Sequence, residues 1–136
     1  MRHVLLVDDN PADANLVEEA LEGRVELHVA SSGPAALEFL RGQTVPVALV
    51  LLDLNLPQLD GREVLAAIKG DPRLKSIPVV VLTTSKSEDD VTRAYELGAN
   101  CYLTKRGDLA GFLTVVRAIE TFWLTMAALP PPPRRS

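Results

Sequence analysis

The sequence predicts an α/β domain: a doubly wound, five-stranded parallel sheet with an extended C-terminal helix. Three observations carry the prediction. Short apolar runs recur at His3–Val7, Val25–Ala30, Val47–Leu52, Pro78–Leu82 and Asn100–Leu103. The third and fourth (VALVLL and VVVL) are continuously apolar, the pattern of strands buried on both faces, as in a parallel sheet. Helix-length stretches with start and stop signals separate the runs, and helical crossovers between parallel strands cover both faces of such a sheet.

Each element has its own signal. After the first run, Asn10-Pro11 offers a capping side chain and then a proline at the first helical position. Gly23 stands where a helix C-terminal glycine belongs, and Ser32-Gly33-Pro34 opens the second helix much as Asn10-Pro11 opens the first. Asp60-Gly61-Arg62-Glu63 and Ser87-Glu88-Asp89-Asp90 have capping-box spacing ahead of the third and fourth helices, and Gly98 ends the fourth. The final stretch, Asp108 to about Leu129, reads as one helix of roughly 30 Å at 1.5 Å per residue. Its apolar residues Leu109, Phe112, Val116, Ile119, Trp123 and Met126 repeat at three and four, and Val115, Phe122 and Leu129 widen the stripe. A five-residue strand is only ~17 Å long, so this helix is expected to overhang the sheet and to need a partner surface. Arg117 and Glu120 within it argue against a membrane span. Residues 1–128 are therefore expected to form the domain, and 129–136, ending in PPPPRRS, an extended tail.

Composition narrows the classes. The 136 residues are 47% hydrophobic and 24% charged, enough for one aliphatic core without metal clips or disulfides. Fourteen basic against eighteen acidic residues leave a net charge of −4, which argues against nucleic acid as a partner. The single cysteine, Cys101, excludes an intramolecular disulfide and fits a reducing, cytoplasmic setting. The first apolar run is too short for a signal peptide or span, so neither secretion nor a membrane is expected, nor a separate output domain. His3 and His28 have no metal-ligand spacing and read as structural, and Cys101 reads as a small buried hydrophobe.

The polar residues that carry chemistry stand where the apolar runs end. The first run ends in Asp8-Asp9, the third in Asp53-Leu54-Asn55, the fourth in Thr83-Thr84-Ser85 and the fifth in Thr104-Lys105. The carboxyl ends of parallel strands share one edge of the sheet, where sites form. Three close carboxylates repel one another unless protons or a cation intervene. Oxygen ligands without histidine or cysteine suit Mg²⁺ or Mn²⁺. A divalent cation, a lysine, hydroxyls and a free carboxylate together suit phosphoryl transfer, with a carboxylate as nucleophile. Asp53 ends the most apolar run, hence the central strand, and is the better nucleophile. The neighbouring pair Asp8-Asp9 is better suited to the metal.

The set DD (Asp8-Asp9), LLDLNLPQLDG (Leu51–Gly61), VVVLTTS (Val79–Ser85) and Lys105 resembles the receiver domain of two-component response regulators, CheY-like in fold, over about residues 2 to 120. The resemblance implies that Asp53 is the phosphoacceptor. It implies that Asp9 and Asp53 are Mg²⁺ ligands, with Asp8 assisting through water and Asn55 giving its backbone carbonyl. It also implies that Thr83, the Thr84 N–H and Lys105 contact the phosphoryl group, and that Thr83 and Tyr102 form the switch. A receiver assists only its own phosphorylation and dephosphorylation. The family usually has proline after the lysine, with a cis peptide bond, whereas Arg106 stands here, and the sequence leaves the state of the Lys105–Arg106 bond open. GREVLAAIKGDPRLKSIPVVVLTTS, GANCYLTK and Phe122-Trp123 further resemble stand-alone regulators partnered with bacterial and cyanobacterial phytochromes. That narrower resemblance implies a phytochrome-type sensor histidine kinase as phosphodonor and a homodimer through the last helix, with Phe122, Trp123 and Met126 at its interface.

Two other classes compete. A Mg²⁺-dependent phosphohydrolase with an aspartyl nucleophile needs an acid two residues after it, and Asn55 stands there. A phosphorylation-independent interaction module normally has a broken acceptor or acidic pair, and both are intact. A nucleotide or flavin binder is weaker still, because no glycine-rich phosphate loop follows the first run.

Overall fold

The computed structural model describes residues 1–42, 44–105 and 107–131. Strand and helix alternate as β1 (His3–Val7), α1 (Pro11–Leu21), β2 (Glu26–Ala30), α2 (Gly33–Gly42), β3 (Val47–Leu52), α3 (Gly61–Gly70), β4 (Val79–Thr83), α4 (Glu88–Glu96), β5 (Cys101–Thr104) and α5 (Leu109–Ile119). The five strands form one parallel sheet in the order β2-β1-β3-β4-β5. The doubly wound prediction holds, and β3, the most apolar run, is the central strand.

The strands alternate between two cores, because successive side chains point to opposite faces. Leu5, Val7, Val50, Leu52, Val79 and Val81 pack under α2, α3 and α4 with Ala36, Leu40, Val64, Leu65, Ile68 and Ala94. Val4, Leu6, Leu49, Leu51, Val80 and Leu82 pack under α1 and α5 with Val17, Leu21, Phe112, Val116 and Ile119. Burial on both faces is why these strands read as unbroken apolar runs.

The predicted boundaries hold to within a residue, and the shifts have causes. Pro78 lacks an N–H, so β4 begins at Val79, although the Pro78 carbonyl still accepts from Val50 N at 3.0 Å. Asn100 caps the sheet rather than extending it: its Oδ1 accepts from Val79 N at 2.9 Å and from Lys69 Nζ at 3.0 Å. The caps also form. Asn10 Oδ1 accepts from Ala12 N and Asp13 N, Asp60 Oδ1 from Arg62 N, and Ser87 Oγ from Asp90 N. Gly23 and Gly98 take φ values of 76° and 106°, the left-handed region that glycine enters without a Cβ clash.

The C-terminal helix departs from prediction. The α-helix ends at Ile119, and Glu120–Met126 continues as a π-helix that closes at Ala127, whose N–H donates to the Phe122 carbonyl at 2.7 Å. Its i→i+5 bonds wind the chain more slowly, so the core-facing row no longer follows three-and-four spacing. Trp123 and Leu124 pack against the α1/α5 core, whereas Met126 and Phe122 are 72% and 52% exposed. Leu109, predicted in the apolar stripe, is exposed as well. By length and composition Leu109–Met126 could cross a membrane, but Phe112, Val116 and Ile119 are buried against the sheet. The last five residues of the predicted tail, and Arg106 with its peptide bond, lie outside the described residues.

Candidate phosphoryl-transfer site

The carboxyl edge of the sheet gathers the predicted residues because the backbone ladder continues one residue past the strands. Asp8 N donates to the Ala30 carbonyl at 3.0 Å, Asp53 N to the Val7 carbonyl at 2.9 Å and Lys105 N to the Thr83 carbonyl at 2.7 Å. Asp8 and Asp53 then each take an Asx turn. Asn10 N donates to Asp8 Oδ1 at 2.9 Å, and Asn55 N to Asp53 Oδ1 at 3.1 Å. One oxygen of each carboxylate is thereby fixed, and the other faces the site.

Both free oxygens meet Lys105. Its Nζ donates to Asp8 Oδ2 at 2.7 Å, to Asp53 Oδ2 at 3.1 Å and to Asp13 Oδ2 at 2.9 Å. An ammonium has three protons, so all its donors are used. Lys105, Asp8 and Asp53 are buried, and buried charges persist only when paired. Burial on its own would lower the Lys105 pKa, but the hydrogen bonds it donates to Asp8 and Asp13 and the charge of Asp53 outweigh it and hold the ammonium well above its ordinary value. Asp8 shifts up from the ordinary carboxylate value, because burial outweighs its bonds from Lys105 and Asn10 N.

Asp8, Asp9 and Asp53 each offer a carboxylate oxygen, and these oxygens lie within 4.8 Å of one another. Asp9 is exposed and opens the trio to solvent. An all-oxygen trio of this size fits a hard divalent cation. Lys105 supplies positive charge to two members of the trio directly.

Thr83 ends β4 fully buried, and its Oγ1 has no hydrogen-bond partner among the described residues. An orphaned buried hydroxyl costs on the order of 1–3 kcal/mol, so it marks a place where an acceptor is wanted. Thr84, the next residue, is exposed, as is Asn55. Tyr102 lies half-buried on β5 against the α2–α4 core, and its hydroxyl donates to the Ser85 carbonyl at 3.0 Å. The predicted switch pair thus flanks the β4–α4 loop.

The loop after Asp53 is packed tightly onto the site. Gly61 N donates to the Leu54 carbonyl at 3.0 Å, and a Cβ on Gly61 would stand 2.3 Å from the Asp53 carbonyl oxygen and 2.5 Å from Leu54 Cα. Arg62 follows and ties this loop to the next, pairing with Asp60 at 3.0 Å and with Asp90, which also accepts from Ser85 Oγ.

Sequence reasoning missed three contacts. Asp13 joins the site from the first turn of α1, where an acidic residue reads as a complement to the helix dipole. The Arg62–Asp90 bridge links helices α3 and α4, which no local spacing connects. His3 and His28 are paired, their Nδ1 and Nε2 3.0 Å apart.

Comparison with known proteins agrees with this fold. Residues 4–117 match the response regulator receiver domain family. The chain is 51% identical over 135 residues to the response regulator Rcp1 of Synechocystis sp., covering 93% of this chain and 92% of that protein. The fold superposes on the Mn²⁺-bound form of Rcp1 with a TM-score of 0.91 at 50% identity, covering 96% and 100% of the two chains. It superposes on the phosphorylated cyanobacterial phytochrome response regulator RcpA with a TM-score of 0.92 at 46% identity, covering 96% and 99%. The chain belongs to the response regulator receiver domain family.

Proposed function

We propose that Asp53 accepts a phosphoryl group from a phytochrome-type sensor histidine kinase in the cytoplasm, and that the modified receiver switches a protein-interaction surface. The observation that carries the reading is the buried Asp53 carboxylate, 3.1 Å from Lys105 Nζ and within the acidic trio. The names of Rcp1 and RcpA, one solved with Mn²⁺ and the other phosphorylated, support the metal and the phosphoryl chemistry, and RcpA's supports the phytochrome partner.

In this reading an Asp53 oxygen forms a bond to phosphorus as the bond from phosphorus to the donor's histidine nitrogen breaks. Asp9 and Asp53, with the Asn55 carbonyl and with Asp8 assisting through water, would hold Mg²⁺ (Mn²⁺ also fits), and the cation would neutralise charge on the transferring group. Lys105 exchanges its bond to Asp53 for one to a phosphoryl oxygen. Thr83 Oγ1 gains an acceptor there, and the Thr84 N–H offers another donor. Phosphorylation adds about −1.5 to −2 charge and new acceptor oxygens. As Thr83 is drawn toward them, Tyr102 exchanges its bond to Ser85 for a more inward position, a population shift set off by a local charge. Asn55 supplies no acid for a leaving group, so the chain acts on its own aspartate rather than on outside phosphomonoesters.

Phe122 and Met126, exposed on the π-helical segment, with Trp123 at their edge, form the surface through which two copies pair. Incubation with a ³²P-labelled, autophosphorylated phytochrome histidine kinase tests the donor. Label should pass to the wild-type chain and not to Asp53→Asn. Retention on the kinase in both cases would refute the kinase assignment.

A further inference from the structure

We propose that Asp13 is a positioning residue that keeps the Lys105 ammonium at the site when a divalent cation takes up Asp8 and Asp53. The inference rests on the receiver reading above and extends it to a residue outside the metal and phosphoryl set. Lys105 Nζ has three carboxylate partners, and two of them, Asp8 and Asp53, belong to the trio that fits a cation. The oxygens that Lys105 holds are the Oδ2 atoms, since the Oδ1 atoms already accept from Asn10 N and Asn55 N. Both oxygens of each carboxylate are thus engaged, and Lys105 and a cation compete for the two carboxylates. Asp13 is the one Lys105 partner that is not in the trio.

Asp13 is also placed to serve. It sits in the first turn of α1, held by the Asn10 cap that accepts its N–H at 3.2 Å, so its backbone is fixed independently of the site. Its side chain is partly exposed and tolerates exchange of donors, ammonium for water, better than the buried pair does. Lys105 can then swing its bonds from Asp8 and Asp53 toward Asp13 without leaving the edge of the sheet. Without Asp13 the lysine stays on Asp8 and Asp53 and opposes the metal.

A double-mutant cycle read by isothermal titration with Mg²⁺ tests this. Asp13→Asn should weaken Mg²⁺ binding on the order of tenfold in the wild-type background, the size of one hydrogen bond to a charged group. In the Lys105→Met background the same substitution should weaken it no more than about twofold, because the competitor is gone. Asp13→Glu, which keeps a carboxylate, should recover part of the loss. An equal loss in both backgrounds would reduce Asp13 to a plain long-range charge and overturn the proposal, as would no loss in the wild-type background. Melting curves on each variant confirm that the titrated protein is folded. Acyl-phosphate labelling of the wild type runs alongside, so that absence of label defeats the receiver reading while the titrations still judge Asp13.

Discussion

Replacing Lys105 with methionine keeps the aliphatic stem and removes the charge that Asp8, Asp13 and Asp53 share. The Lys105 side chain is 5% exposed, against 2% for Asp8, 9% for Asp53 and 24% for Asp13. Removing one partner of a buried pair costs about 3–5 kcal/mol. Asp13 retains access to water, which places this site near the lower end, at ~3 kcal/mol. A domain of this size loses roughly 4 °C of Tm per kcal/mol, so the variant should melt about 12 °C lower in metal-free buffer. Mg²⁺ then discriminates. With Lys105 gone, the cation has no competing ammonium at the two carboxylates, and it should raise the variant's Tm more than the wild type's. Differential scanning calorimetry with chelator and with Mg²⁺ measures both. Equal melting temperatures in chelator, or a larger Mg²⁺ gain in the wild type, would refute the view of Lys105 as the balancing charge of the acidic trio.

Other substitutions probe other parts. Thr83→Val replaces an orphaned hydroxyl with a methyl, so the unphosphorylated protein should gain about 1 kcal/mol in urea unfolding. Gly61→Ala would drive a Cβ into the Asp53 carbonyl and should lose about 2–3 kcal/mol, whereas Gly70→Ala, with nothing within 4 Å, should be near neutral. Asp8 has a folded-state pKa raised by burial, so stability should fall as pH rises through that value, and Asp8→Asn should remove that part of the pH dependence when urea midpoints are followed with pH. Met126→Glu should lower the oligomer mass in light scattering and leave the Tm unchanged at dilutions where the wild type is already monomeric, since its side chain is exposed.

The fold was legible because the sheet is parallel and buried on both faces: runs such as VALVLL, set between helix start and stop signals, have the pattern of strands covered on both sides. The site was legible for the same reason, since residues that follow the runs meet at one edge, and Asp8, Asp53 and Lys105 do. What stayed hidden depends on contacts that strand and helix periodicity does not encode. Asp13 reads from sequence as a first-turn acid, and only the docking of α1 against the sheet brings it to Lys105. Trp123 fits α-helical and π-helical spacing alike, four residues after Ile119, so the change of winding at Glu120 had no signature of its own. The pairing of His3 with His28 follows from the register of β1 on β2, which sequence spacing leaves open.

The central claim is that Asp53 accepts the phosphoryl group. Intact mass after incubation with Mg²⁺ and a small acyl phosphate tests it most directly. The wild-type chain should gain the mass of one phosphoryl group, and Asp53→Asn should gain none. A wild type that never gains that mass, or an Asp53→Asn variant that still does, would contradict the assignment.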